Sequence, residues 1–251
     1  LKMYVDSVYD IPELFSSPAL ILATFIFAWQ IYFDFSGYTD MARGIARMLG
    51  FNLMLNFNNP YLATGLGDFW GRWHISLSSW FKDYLYIPLG GNRKGNFITY
   101  RNIFITMVVS GLWHGAAWTF VIWGALHAIG RFLTRELERT EFYAEKVPKL
   151  VKQFLVFAFV SFAWIFFRAN SLGDAVLIVK RIFVGGLADP QVPLIALFFC
   201  IVIWLYQFLF ESRIKKLLEW TPLKIGVVCL IILYLIMFTS SGNEAFIYFQ
   251  F

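Results

Sequence analysis

Charge is scarce in this sequence. Only 15% of its 251 residues are Asp, Glu, Lys or Arg, against about 25% in a soluble globular domain, which excludes an ordinary soluble fold. Cysteine is nearly absent. Cys200 and Cys229 each sit in a separate apolar run and form no CxxC pair, so no disulfide framework is expected. The three histidines, His74, His114 and His127, fall at no zinc-ligand spacing, and no metal site is expected. The net charge of +5 has no basic-aromatic motif beside it, so nucleic acid is not an expected partner. Internal repeats, inverted halves and a paired carboxylate pathway are also missing, which argues against a solute channel. No signal-like segment precedes Met3, and the chain reads as the C-terminal portion of a longer protein whose N-terminal half is missing.

What remains is apolar. Hydrophobic residues make up 59% and aromatics 20%, with a mean hydropathy of +0.63. The lipid bilayer is therefore the expected surrounding, and residues 1–251 read as a single all-α, multi-pass membrane domain. Five spans are expected: Leu14–Phe33, Asn102–Gly130, Gln153–Phe167, Pro190–Phe210 and Ile225–Asn243. Ser17 and Pro18 suit a cap followed by a first-turn proline. The exit Asp34–Asp40, with two carboxylates, two hydroxyls and a phenol, suits either a polar path or the capping of helix ends. Met48–Gly67 is uncharged but carries Asn52, Asn56, Asn58, Asn59 and Pro60, too costly for lipid, so it reads as a loop folded against the protein. Arg131–Lys152 reads as a solvated loop with some helix. The aromatic tail Glu244–Phe251 suits the membrane interface. On this count the basic residues divide almost evenly between the two faces, and orientation stays open.

Asn102–Gly130 is the longest charge-free run, and His114 lies in its middle. An ionisable residue at bilayer depth is a functional-site hypothesis by default. A straight helix of that length would extend roughly 43 Å, against a hydrocarbon core of ~30 Å, so it must tilt, protrude or break. Gly111 and Gly115 bracket His114 and mark the place for a distortion. On an unbroken helix His127 would lie roughly 220° around from His114 and face away. In Asp68–Tyr86 the residues Phe69, Trp73, Leu77, Trp80 and Tyr84 share one helical seam, with His74 on the neighbouring face beside Trp70, Ser78 and Phe81. That segment is too short between Arg72 and Lys82 to cross and reads as interfacial or re-entrant.

A buried neutral imidazole is a natural general base. Acyl transfer to a hydroxyl needs such a base, donors for the oxyanion, and exclusion of water. His114 would supply the base, and the indole N–H of Trp73 or Trp113 would orient a substrate or meet a carbonyl. The bland alternative is a histidine that hydrogen-bonds a neighbouring helix.

Four ordered stretches, Asp34–Asp40, Phe69–Ser78, Trp80–Arg93 and Gly111–Ala116, resemble the membrane-bound O-acyltransferase family, and most of all its bacterial alginate O-acetylation branch. The Phe246–Phe251 ending is similar too. Gly71 departs from that branch, which commonly has a larger basic residue there. The resemblance implies a helical bundle around a tunnel in the bacterial inner membrane, with catalytic histidines at His114 and His74. It also implies acetyl transfer from a cytoplasmic donor, acetyl-CoA or an acyl carrier, with no bound cofactor. The acceptor would be a hydroxyl of an extracytoplasmic polysaccharide, reached with partner acetyltransferase subunits. D-alanyl transfer to teichoic acid, or a non-catalytic acyl-passing scaffold, are the alternatives.

Overall fold

A computed structural model describes residues 1–212, 215–218 and 220–238. The expected aromatic tail and the end of the fifth apolar run lie outside the described residues. Within them every regular element is helical: α1 Lys2–Asp10, α2 Ser17–Met48, α3 Leu66–Arg72, α4 Ile75–Phe81, α5 Gly95–His114, α6 Trp118–Leu137, α7 Lys149–Arg168, α8 Leu172–Val184, α9 Leu194–Phe210, α10 Lys215–Leu218 and α11 Thr221–Phe238. Of these, α2 and α7 are long and apolar enough to cross a membrane, and α9 and α11 are shorter apolar helices.

The first helix long enough to cross outruns its apolar run. α2 has 32 residues, or about 48 Å at 1.5 Å each. Asp34–Asp40 is therefore helix interior, neither an exit nor a cap. Its polar groups are served locally: Thr39 donates to the Ser36 carbonyl at 3.1 Å, and Arg43 to Asp40 at 2.9 Å. Met41–Met48 is rich in Ala, Met and Arg, strong helix formers, and these carry the helix onward. Its start lies at Ser16, with Pro18 in the first turn. Ser17 instead ties α2 to the end of α8, donating to the Arg181 and Gly185 carbonyls at 2.7 and 2.9 Å.

The long charge-free run breaks where glycine permits. α5 ends on His114, residues 115–117 turn the chain, and α6 runs back along α5. One expected span is thus a helical hairpin. The reason is visible at the contact. A Cβ on Gly111 would collide with the Phe120 carbonyl, and one on Gly124 with the Met107 carbonyl. Two glycines facing opposite backbones let the helices touch as small residues do in membrane proteins. The loop expected over Arg131–Lys152 shrinks accordingly, because α6 continues to Leu137 and α7 begins at Lys149. Arg168, at the end of α7, pairs with Asp6 of α1 at 2.6 Å.

The core lies between α2, α3, α6 and α7 and is aromatic. Trp29, Trp73, Trp123, Trp164, Tyr61 and Phe69 are among its largest sealed side chains. Trp29 meets Tyr61 at 5.1 Å, Trp73 meets Trp164 at 5.2 Å, and Trp123 stacks on Trp164 at 5.8 Å, separations at which aromatic pairs attract.

Gly111→Ala or Gly124→Ala forces the hairpin apart. Each is expected to cost about 1–3 kcal/mol, as overpacking does, and to lower the thermal unfolding midpoint in detergent. Gly71→Ala, where an added Cβ meets nothing within 4 Å, should leave that midpoint unchanged.

Candidate active site

Two breaks in helical structure bring the site together. The first separates α3 from α4. Trp73 is extended, and His74 takes a left-handed conformation at φ 43°, ψ 55°, a region where histidine is among the few enriched non-glycine residues. The continuous seam expected through Phe69, Trp73, Leu77, Trp80 and Tyr84 is therefore interrupted. The cause lies in the asparagine-rich loop. The Asn56 carbonyl accepts from Ile75 N–H at 3.0 Å, and its side-chain oxygen accepts from Ser76 N–H at 3.0 Å. These are first-turn donors that a helix start leaves unpaired. On the other side, Asn58 N–H donates to the Arg72 carbonyl at 2.9 Å. The loop thus caps both cut ends and holds His74 between them. Arg72 is anchored further by Asp68 and Glu211, each at 2.6 Å.

The second break is the α5–α6 turn, which leaves His114 on the last turn of α5. Its half-buried ring is walled by Trp113 at 5.0 Å, Phe167 of α7 at 5.0 Å, Trp123 of α6 at 5.3 Å and Phe120 at 6.4 Å. His74 is buried against Phe35 of α2 at 4.7 Å. The two segments meet through the aromatic core: Trp73, beside His74, meets Trp164, which stacks on Trp123, the neighbour of His114. Burial lowers the His74 pKa to about 4, so this ring is neutral at pH 7 and can accept a proton or a hydrogen bond.

The other two candidate residues have different surroundings. Trp73 is sealed in the aromatic core, stacked on Phe69 at 5.6 Å. Trp113 is 56% exposed, its indole edge-on to the His114 ring. His127 does not face away. The hairpin break removes the continuous helix on which that expectation stood, and His127 is wholly buried with Trp123 at 4.8 Å and Trp70 at 5.0 Å. Trp123 therefore lies between two imidazoles.

A cavity of about 550 Å³ lies between the α3–α4 pair and the α5–α6 hairpin. Lys82, Arg131 and Arg135 line it toward the open end of the hairpin, and Thr106 and Ser110 line it along α5. Ser110 is one helical turn before His114. The cavity thus runs from a cationic end to Ser110, beside a face of α5 that carries Thr99, Asn102, Thr106 and Ser110 at helical spacing, all buried, and neither imidazole lines it. Asn102 uses its amide to hold the Leu89 and Gly91 carbonyls at 3.1 and 3.0 Å, which fixes the basic turn over the start of α5.

Residues 2–172 match the membrane-bound O-acyltransferase family. The chain belongs to that family. It is 50% identical over 157 residues to the probable alginate O-acetylase AlgI of Azotobacter vinelandii, covering 61% of this chain and 30% of that protein. It is 47% identical over 155 residues to the peptidoglycan O-acetyltransferase of Helicobacter pylori, covering 61% and 29%. A teichoic acid D-alanyltransferase of Streptococcus thermophilus is more distant, at 32% over 124 residues, covering 47% and 30%. The chain thus matches about a third of the length of its curated relatives.

In this membrane-bound O-acyltransferase chain, several residues that build the site carry no chemistry that the sequence could advertise. Phe35, Trp123 and Phe167 act as walls, and Asn56 acts through its amide and carbonyl. The only available signal was the density of asparagines in an apolar loop, which demands partners. Asn56→Ala removes an acceptor from the α4 start and should cost about 1 kcal/mol, within the 0.5–2 kcal/mol range of helix capping. Faster proteolysis within residues 51–59 would report the loosened loop.

Proposed function

We propose that the protein is a multi-pass O-acyltransferase of the bacterial inner membrane that moves an acetyl group from a cytoplasmic donor to a hydroxyl of an extracytoplasmic polysaccharide. The observation that carries this reading is the cavity that begins among Lys82, Arg131 and Arg135 and ends at Ser110, one turn from His114. Its cations suit a phosphate-bearing donor, acetyl-CoA or the prosthetic arm of an acyl carrier. His114 is the general base that takes the acceptor hydroxyl proton as oxygen attacks the acyl carbonyl. The same proton then goes to the departing thiolate. His74, neutral and adjacent, orients donor or acceptor. Trp113, at the mouth of the turn, offers a surface on which a sugar ring stacks, and Trp73 backs His74 from the core. The higher identity to O-acetyltransferases than to the D-alanyltransferase favours acetyl as the group moved. A polysaccharide acceptor outside the cell also calls for partner subunits that hold the polymer.

The hairpin supports an orientation that an unbroken span did not. With the chain reversing at residues 115–117, Lys2, Arg168, Lys180 and Arg181 lie at one pole. All other described lysines and arginines lie at or near the opposite pole. An excess that large supports placing the basic pole in the cytoplasm by the positive-inside rule, and the cavity then opens toward a cytoplasmic donor. The His114 turn then points outward, toward the acceptor.

His114→Ala in membrane-inserted protein should reduce acetyl-ester formation by roughly 10²–10⁴-fold, the usual worth of a positioned base, with the donor KM little changed. Undiminished turnover would remove the assignment. For orientation, a cysteine at Arg93 should be protected from an impermeant thiol reagent in intact cells, and a cysteine at Ala116 should be labelled. The reverse pattern would invert the topology.

A further inference from the structure

We propose that the Ser110 hydroxyl is a catalytic group of this site, donating a hydrogen bond to the acyl carbonyl oxygen of the donor while His114 handles the proton. The inference rests on the acyl-transfer reading above and adds a residue to it.

The hydroxyls along the inner face of α5 are not alike. Thr99 donates to the Gly95 carbonyl at 2.8 Å, and Thr106 to the Asn102 carbonyl at 2.7 Å. This back-bonding to the residue four earlier is the ordinary way a helix serves a buried hydroxyl. Ser110 is next on that face and breaks the pattern. It does not bond to the Thr106 carbonyl, and among the described residues nothing pairs with its hydroxyl. Yet Ser110 is only 6% exposed, and it lines the cavity. Its oxygen is open to the cavity, unlike the sealed hydroxyl of Ser161, so a hydroxyl that forgoes its own helix is left available to a group bound there.

Its placement says what that partner is. Residues four apart on a helix lie one above the other, about 5–6 Å between Cβ atoms, and each side chain leans toward the N-terminus. The His114 ring therefore lies over the turn that carries Ser110, and Ser110 is the point of that turn that lines the cavity. An acyl group brought along the cavity presents its carbonyl there. When the acceptor oxygen adds, negative charge grows on the carbonyl oxygen, and a fixed donor stabilises that charge more than it stabilises the ground state. Gly111, the next residue, packs against the Phe120 carbonyl, so the backbone that carries Ser110 is fixed by the hairpin contact.

The test uses the full-length protein in membranes from cells that carry its partner subunits, with acetyl-CoA and alginate oligosaccharides, comparing wild type, Ser110→Ala, Ser110→Thr and His114→Ala. Ser110→Ala should lower kcat on the order of 10²–10³-fold, as loss of one oxyanion donor does, while KM for acetyl-CoA stays within about twofold. Ser110→Thr keeps the hydroxyl and should restore most of the rate. Wild-type kcat in Ser110→Ala with His114→Ala inactive overturns the Ser110 role alone. A Ser110→Ala effect confined to KM, or no rescue by threonine, overturns it as well by making Ser110 a packing residue. Equal rates in wild type and His114→Ala overturn the acyl-transfer reading, and the Ser110 role with it.

Discussion

The close approach of α5 to α6 governs where everything else can sit. At Gly111 and Gly124 each helix offers no side chain, and the backbone of the other fills the space. In a bilayer there is no hydrophobic gain from pressing two apolar helices together, so van der Waals fit at small residues carries much of the association. That contact sets the sharp reversal at residues 115–117 and leaves His114 at the end of a helix rather than in the middle of one. Trp123 and Phe120, on the returning helix, thereby reach the imidazole. A single bulkier residue at either glycine would displace the ring along with its neighbours.

The second half of the site depends on polar groups that find partners despite apolar surroundings. Unpaired backbone donors are expensive away from water, and a helix cut in two exposes several. The loop before α3 resolves this by supplying Asn56 to one cut end and the Asn58 backbone to the other. Asn102 does similar work where the basic turn meets α5. His74 holds a left-handed conformation because its neighbours on both sides are tied. The site is thus assembled from two distorted segments, each held by a different kind of force, close packing in one and hydrogen bonds in the other.

The all-helical class and the rejection of Met48–Gly67 as a span were legible from composition, and the break near His114 from the excess length between two glycines. The direction of the break was not legible. A kink, a tilt and a full reversal all satisfy the same length mismatch, and only the interhelical contact at Gly124 selects the reversal. His127 was misplaced for that reason, since its angular position assumed one cylinder. α2 was cut short because Asp34 and Asp40 resemble an exit, whereas local partners let a helix continue through them. Phe35, Trp123 and Phe167 could not be singled out among so many aromatics, because their roles are set by tertiary position alone.

The hairpin also has a consequence for biogenesis. Between Asn102 and Gly130 the sequence contains no Asp, Glu, Lys or Arg, so the reversal can pass into the bilayer without dragging a fixed charge through it. Its contacts are close in sequence, and such contacts form fast, so the pair can close without waiting for α7. Phe167 of α7 then packs onto a wall that already stands.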